Sequence, residues 1–362
     1  MAGSGSPANR MTYSGYLRLD ELLQLQAGPE GHNPPPSNDE MHFIITHQTF
    51  ELWFKQVRIE LDAAHSYLAQ ESVDEKHLPQ MVHHLERVIE IFRLLANQWK
   101  VMETLSPQGF LAFRDRLGTS SGFESWQMRA MEMRLGLKQG SRVADMDPMA
   151  HMKKLHSEGK IDDEGFETLQ TISIEPTLEE LISQWLSRTP INGSVPSDAN
   201  DQATIDAYVD AHLNTMKAHS DQVIEHMVSI GHGSVEALKP RMDANLASAR
   251  DFLKPDGITN RARAGLLFIE SYPELPLLSW PRRLIDTIVQ LEQSMLLFRH
   301  AHARMVERMI GRRIGTGGSS GVDYLDMTTK YRVFIDLWAV RSILNKKEAL
   351  PAIKNKDFYE FR

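Results

Sequence analysis

The 362-residue sequence predicts an all-α protein, a helical bundle that buries two histidines. Apolar residues recur at alternating steps of three and four in nearly every segment, which is the period of a helix with one buried face. No segment alternates as a half-buried strand would, and no internal repeat is present. Two of the helical stripes carry a histidine where an apolar residue is expected, His47 and His302. These two imidazoles are the first candidate functional groups.

Composition narrows the function classes. The chain has 40 basic and 48 acidic residues and a formal charge of −8, which disfavours nucleic acid as a partner because phosphate binding needs clustered lysine and arginine. It contains no cysteine, which excludes disulfides, thiolate metal sites and thiol nucleophiles and is compatible with a cytoplasmic location. No apolar run approaches the roughly 20 residues of a membrane span. We expect residues 1–10 to be a disordered tail and 11–362 to form a single domain.

The N-terminal third predicts a series of helices. A short amphipathic pattern (13–26) is followed by a breaker segment with three consecutive prolines (28–36). Ser37 then precedes Glu40 in the form of a capping box, which indicates the start of a helix that extends to about residue 69. A second long helix is expected over about 75–104. Shorter helices are expected from Ser106-Pro107 to about residue 118 and over about 123–137.

The middle of the chain has weaker patterns. Helices are expected at about 147–158 and 178–187, followed by an exposed loop and a polar helix over about 202–230. That polar helix carries His212, His219 and His226 at heptad spacing. Residues seven apart lie about 10 Å apart along a helix, so a shared zinc ion is disfavoured and a solvated helix is the simpler interpretation. We interpret about 190–260 as a polar helical insertion.

The C-terminal third predicts a helix over about 260–271, a long helix that ends near Ile310, and a final helical region. A segment with four glycines in seven residues (315–321) separates the last two. It lacks the lysine of a phosphate-binding loop and follows a helix instead of a strand, so we interpret it as a flap or a flexible connection.

Buried imidazoles need partners, because an unpaired buried polar group costs about 1–3 kcal/mol. His302 lies on the apolar stripe of its helix, whereas His300, two residues away, points elsewhere. A core histidine bonded to a backbone carbonyl is the simpler interpretation of either stripe. Two such histidines on separate aromatic-rich helices also fit a shared ligand, for which a haem, a flavin or a pure packing role remain open.

An arginine lies among apolar residues on another predicted helix. Phe110, Phe113, Arg114 and Leu117 share one helical face. The guanidinium either reaches solvent while its stem packs, or it binds a carboxylate or phosphate. Spacing alone does not separate the two.

Several motifs together resemble the tryptophan 2,3-dioxygenase family. They are MTYSGYLRLDELL (11–23), NDEMHFIITHQTFELWFKQ (38–56), ETLSPQGFLAFRDRLGTSSGF (103–123), ELISQWLSRTP (180–190), MVERMIGRRIGTGGSSGVDYL (305–325) and KYRVFIDLW (330–338). The resemblance covers most of the chain in order. It implies an all-helical enzyme that uses ferrous haem b to insert O2 across the indole C2–C3 bond of L-tryptophan, giving N-formylkynurenine in the kynurenine pathway of tryptophan catabolism.

The resemblance also implies roles for individual residues. His302 would be the axial iron ligand, and His47 would be the distal, catalytic histidine that contacts the indole N–H. The other residues that would bind substrate are Phe43, Ile44, Ile45, Thr46, Phe110, Phe113, Arg114, Leu117, Ser121, Gly315 and Thr316. Tyr13, Tyr16 and Leu17 would reach into a neighbouring subunit's site, which implies a cytoplasmic homotetramer with exchanged N-terminal segments.

The segment 121–129 departs from the family pattern. Glu124, Trp126 and Met128 stand where the family commonly has glutamine, leucine and an aromatic residue. If Trp126 approached the pocket, oxygenation of a modified tryptophan in specialised metabolism, as a mono- or dioxygenation, would be the alternative function. A haem-binding protein without turnover is a further alternative.

Overall fold

The computed structural model describes residues 12–27, 33–315 and 321–360. Over these ranges the regular elements are helices, with one isolated bridge between Ile191 and Ser194, so the predicted all-α class is confirmed. The α-helices are α1 (Tyr13–Leu17), α2 (Leu19–Leu22), α3 (Asn38–Leu68), α4 (Leu78–Met102), α5 (Pro107–Phe113), α6 (Trp126–Leu135), α7 (Pro148–Ser157), α8 (Asp163–Ile174), α9 (Leu178–Leu186), α10 (Asp201–Ser229), α11 (Val235–Leu253), α12 (Arg261–Ser271), α13 (Ser279–Ile310), α14 (Val322–Thr328) and α15 (Ile335–Ala339). The predicted tail (1–10) and Thr316 lie outside the described residues.

Three long helices, α3, α4 and α13, form the centre of the bundle, with α4 packed against both others. The stripe predicted for α13 is buried, and its members Leu284, Ile288 and Phe298 are at most 3% exposed. Burial of a stripe this long supplies most of the helix's stability, since an isolated helix is marginal in water. The same three helices position the two candidate histidines.

The start of α3 follows the predicted cap in part. The Ser37 hydroxyl accepts a hydrogen bond from the Glu40 N–H at 3.2 Å, which satisfies one of the free donors of the first turn. The Glu40 carboxylate does not complete the capping box. It is buried and pairs with Arg116 at 2.9 Å, which ties α3 to the segment after α5.

Helices α6, α7 and α8 enclose a small second core. Its fully buried members include Ala130, Met152 and Leu169. Helix α8 does not follow from the sequence pattern, because it buries only Gly165, Leu169 and Ile172 and its start depends on an Asp162 cap. This unit lies behind the loop 118–125, which borders the cavity described below.

Within the predicted polar insertion, α10 and α11 pack against each other as a hairpin. Helix α11 does not follow from the sequence pattern, because it has few apolar positions and a proline, Pro240, inside the helix. The interpretation of α10 as a solvated helix is wrong at His212, which is fully buried and bonds the Ile343 carbonyl oxygen at 2.8 Å. His219 and His226 are exposed, as a solvated helix predicts.

None of the helices in the described ranges combines the length and the hydropathy that a bilayer span requires.

Candidate active site

A cavity of about 480 Å³ opens between α3, α4, α13 and the loop 118–125. This volume falls in the usual range for small-molecule sites, about 300–1,000 Å³. Most of its lining is apolar, and the polar groups are few. The lining residues on which the site's chemistry depends are Phe43, His47, Glu51, Trp99, Phe110, Arg114, Leu117, Ser121, Glu124, Met128, Arg129, Arg299, His302, Gly315 and Tyr324.

His302 projects from α13 into this cavity, whereas His300 is exposed on the outside of the helix. The Trp99 indole stacks on the His302 ring at 4.4 Å between centroids and 7° between planes, which fixes the imidazole's orientation. Burial, aided by the positive charge of nearby groups such as Arg299, lowers the pKa of His302 to about 3. The ring is therefore neutral at physiological pH, and among the described residues nothing hydrogen-bonds its nitrogens.

His47 faces the cavity from α3. Its Nδ1 lies 2.8 Å from the carbonyl oxygen of Phe43, one turn earlier. Because a carbonyl only accepts, Nδ1 carries the proton and Nε2 is left as an acceptor in the neutral ring. Burial lowers the pKa of His47 and outweighs the opposing effect of the Phe43 bond, so the neutral form predominates.

An aromatic wall lies beside His47. The Phe43 ring is 4.0 Å from the His47 ring, 5.9 Å from Phe110 and 5.6 Å from Phe113. Phe43 and Phe110 line the cavity, and Phe113 packs behind them, buried at 3% exposure. The wall offers flat apolar surfaces suited to an aromatic ligand.

Arg114 and Leu117 lie at the mouth of the cavity. Arg114 is half-buried and donates a hydrogen bond to the Ile314 carbonyl oxygen at 2.6 Å, beside Gly315 at the base of the predicted flap. Four further donors of its guanidinium remain for a ligand. Ser121 lines the cavity while its hydroxyl accepts from the Phe123 N–H at 3.3 Å.

Some predicted site residues lie elsewhere. Ile44, Ile45 and Thr46 do not line the cavity. They lie between Phe43 and His47 in the sequence, and the turn of α3 directs them away from the cavity. Ile45 is 45% exposed, and Thr46 is buried against α4. Tyr13, Tyr16 and Leu17 also lie outside the lining and are exposed.

Trp126 does not reach the cavity. It stacks under the Arg58 guanidinium at 4.2 Å and packs against Gly165, so the condition for the alternative function is not met. Glu124 and Met128, the other two departures, do line the cavity. The Glu124 carboxylate is paired with Lys160 at 3.2 Å.

The sequence patterns miss a buried charge cluster beside His302. Glu132 on α6 is 1% exposed and contacts three guanidiniums, those of Arg129, Arg142 and Arg299, at 2.6–2.7 Å. Although burial alone would raise it, the three arginines lower the pKa of Glu132 to about 2. The sequence carries two weak signals for the cluster: Arg299 lies one turn before His302, and Arg129 and Glu132 are three residues apart on α6. Tertiary packing brings these two helices and Arg142 together.

The cavity fits a porphyrin with iron. A neutral imidazole free of protein hydrogen bonds is the ligand that haem iron takes from histidine, and His302 presents one. The apolar lining around it, which includes Phe50, Phe298 and Met305, suits the faces of the macrocycle. His47 lines the same cavity, where its Nε2 is available to a second ligand.

Comparison with known proteins agrees with this geometry. A family model described as tryptophan 2,3-dioxygenase matches residues 3–344. A Ralstonia nicotianae protein named tryptophan 2,3-dioxygenase 2 is 39% identical over 97% of this chain and 98% of its own length.

Other relatives carry the same name. A Sorangium cellulosum tryptophan 2,3-dioxygenase is 38% identical over 99% of this chain and 90% of its own length. The Anopheles gambiae tryptophan 2,3-dioxygenase is 32% identical over 97% of this chain and 90% of its own. The resemblance seen in the motifs is thus confirmed across bacteria and an insect, and the chain belongs to the tryptophan 2,3-dioxygenase family.

Proposed function

We propose that this cavity binds haem b and L-tryptophan together and that the chain converts L-tryptophan and O2 to N-formylkynurenine. Both oxygen atoms enter the product, and the C2–C3 bond of the indole is broken. The observation that carries the proposal is that two neutral imidazoles, those of His302 and His47, line one apolar cavity. The alternative, oxygenation of a modified tryptophan, is not favoured, since Trp126 lies outside the cavity.

His302 is the residue that would hold the haem, with Trp99 fixing its ring. Bound in its ferrous state, the haem supplies the redox chemistry that activates O2. A neutral imidazole suits this chemistry better than a thiolate, which would promote O–O cleavage. The protein's own task is to orient the indole and exclude water.

His47 would orient the indole. Its Nε2 is an acceptor, because Nδ1 donates to Phe43, and the indole N–H is a donor. Phe43 and Phe110 would pack against the flat ring, and this orders C2 and C3 relative to the haem. His47 is catalytic in this sense, since it touches the substrate at the reacting ring.

The charged end of the substrate would bind at the cavity mouth. Arg114 has donors free for a carboxylate, and a bidentate pair favours a free amino acid over an indole without a carboxylate. Leu117, Ser121 and Gly315 border the same end. Thr316, outside the described residues, remains a predicted contact to the substrate's α-substituents.

A neighbouring subunit would complete the site. Tyr13 and Tyr16 on α1 are 77% and 74% exposed, and α1 buries no residue within the chain. Large aromatic residues this exposed are typical of a segment that packs on a partner. A homotetramer with exchanged N-terminal segments, in the cytoplasm, remains the prediction from the resemblance.

The proposal is tested by turnover of the haem-loaded chain. Protein reconstituted with hemin and reduced should convert L-tryptophan under ¹⁸O2 to N-formylkynurenine that carries two labelled oxygen atoms. An oxygenated indole with one label would support the alternative function. Haem binding without any product would contradict the enzyme assignment.

A further inference from the structure

The cluster of Glu132 with Arg129, Arg142 and Arg299 is unbalanced in charge. Each arginine makes its ion pair with the same carboxylate, and the described residues contribute no second acidic partner to any of them. Two positive charges are therefore unmatched in a buried wall, where an unpaired charge is costly. Arg142 and Arg299 are 3% and 8% exposed, so water offers them little compensation.

A buried donor on the same wall also lacks an acceptor. Arg129 is 7% exposed, and its Nε–H has no hydrogen-bond partner among the described residues. Tyr324, which lines the cavity near it, has a buried hydroxyl in the same condition. Burial raises the pKa of Tyr324 to about 12, so this hydroxyl remains a donor. Unpaired donors beside unmatched positive charge indicate an anionic ligand with several acceptor atoms.

We propose that Arg129 and Arg299 bind the two carboxylates on the edge of the porphyrin, with Tyr324 as an additional donor. This inference rests on the proposed function, which places a porphyrin in the cavity. Two carboxylates carry the two negative charges that the cluster lacks. Arg299 lies one turn before His302 on α13, so one helix presents both the axial imidazole and a contact to the anionic edge.

The other charged groups on the cavity wall already have partners or lie at the cavity mouth. The Glu51 carboxylate accepts a hydrogen bond from Gln127 at 2.9 Å, and Glu124 pairs with Lys160. Arg114 is half-buried at the mouth and bonds the Ile314 carbonyl. Arg129 and Arg299 are therefore the buried cations that the described lining offers to a resident anion.

Glu132 and Arg142 act as positioning residues. Glu132 holds Arg129 and Arg142 through one oxygen and Arg299 through the other, so its carboxylate fixes the spacing of the two binding arginines. Arg142 does not line the cavity, yet it raises the positive charge of the wall. An Arg142→Met variant keeps the length of the buried stem while it removes a charge without touching the ligand.

The direct test compares hemin with hemin dimethyl ester, whose two carboxylates are masked. Titration of the haem-free chain, followed in the Soret band, should give at least a 30-fold preference for hemin. Arg129→Met and Arg299→Met should each reduce that preference at least five-fold, and Arg142→Met should reduce it by a smaller factor. Arg263→Met removes an ion pair with Asp336 away from the cavity and should keep the wild-type preference, as a control for the loss of one arginine.

The comparison of hemin with its dimethyl ester in the wild-type chain tests this inference even if a cluster variant fails to fold. Equal affinity for hemin and its ester, with a normal Soret band and N-formylkynurenine formation, would overturn this inference and leave the proposed function standing. Binding of neither compound would overturn both. A hemin preference that survives Arg129→Met and Arg299→Met in folded protein would also overturn it.

Discussion

Two arginine sites that line one cavity differ in burial and in partners. Arg114 is half-buried at the mouth, and its described hydrogen bond goes to a backbone carbonyl beside the flap. Arg129 and Arg299 are buried and locked by Glu132. A guanidinium that exchanges a backbone contact for a ligand suits a substrate that comes and goes. Buried guanidiniums held by a carboxylate suit a resident group.

This difference between the arginine sites allows one helical bundle to hold a cofactor and a substrate in the same space. Both ligands carry carboxylates, so charge alone would not direct each ligand to its own arginine site. The difference in burial separates the two ligands, because a buried pair of charges is screened less and exchanges more slowly than a pair near solvent. Single substitutions separate the effects on the haem from the effects on the substrate.

Replacing His302, the residue proposed to hold the haem, should have the largest effect. We expect His302→Ala to weaken hemin binding by more than about 100-fold. Loss of a residue that only supports a metal ligand costs roughly 10- to 100-fold, and loss of the ligand itself should cost more. Soret titration of the haem-free chain measures this. His300→Ala, two residues away on the exposed face, should bind hemin as the wild type does. An unaltered hemin spectrum in His302→Ala would contradict the axial assignment.

Replacing the arginine at the mouth should affect substrate and spare the haem. We expect Arg114→Met to raise KM for L-tryptophan about 10- to 100-fold, because hydrogen bonds to charged groups contribute about 1.5–3 kcal/mol. Steady-state kinetics measure KM, and hemin affinity should not change. Tryptamine lacks the carboxylate, so its kinetics should be similar in both proteins. A KM that is unchanged for L-tryptophan would remove Arg114 from the substrate site.

Protonation of His47 should turn the indole acceptor into a donor. Because burial lowers its pKa below the ordinary 6.5, kcat/KM should stay flat from pH 8 to 6.5 and fall only at lower pH. His47→Gln should lose roughly ten-fold in kcat/KM, the value of one neutral hydrogen bond, together with this pH dependence. Retention of the acidic limb in His47→Gln would assign it to another group.

The haem-free chain should lose stability as the pH falls. The pKa values of His47, His302 and His212 are all lowered in the folded state, so below about pH 6.5 the unfolded chain binds protons that the folded chain does not. We therefore expect Tm to fall between pH 7.5 and 5.5, as scanning calorimetry would show. His302→Leu should have a shallower dependence. A Tm that rises on acidification would contradict the burial of these rings.

The smallest effect should follow from Trp126. Trp126→Leu removes its stacking with Arg58 and should lower stability by about 0.5–1 kcal/mol. The product from L-tryptophan should remain N-formylkynurenine, since Trp126 lies outside the cavity. Denaturant unfolding and product analysis measure the two. A changed product would revive the alternative substrate.

Periodicity predicts the long helices well because burial of one face determines them. The stripe on α13 and the Ser37 cap of α3 both lie where the pattern indicates. Helix α11 is missed because its sequence has few apolar positions, and its stability depends on packing against α10. His212 is missed for the same reason, since a bond to Ile343, 131 residues away, is invisible to local spacing.

The candidate site also contains residues that local spacing predicts and residues that it does not. Local spacing selects His302, His47 and Arg114, because each interrupts an apolar face on its own helix. It does not find Trp99, which meets His302 only when α4 packs on α13. Nor does it find Glu132, because its partners Arg142 and Arg299 lie outside α6 and only Arg129 is on the same helix. The family resemblance implies Ile44 and Ile45 as substrate contacts, although helix geometry turns them away from the cavity.

The proposed mechanism requires haem and L-tryptophan to share this cavity, with Arg114 binding the carboxylate of L-tryptophan. It is tested most directly by titrating the reduced, haem-loaded chain with L-tryptophan in the absence of O2 while recording the Soret band. We expect a saturable shift whose midpoint moves at least ten-fold higher in Arg114→Met. A band that does not respond to L-tryptophan at concentrations that saturate turnover would contradict the shared cavity.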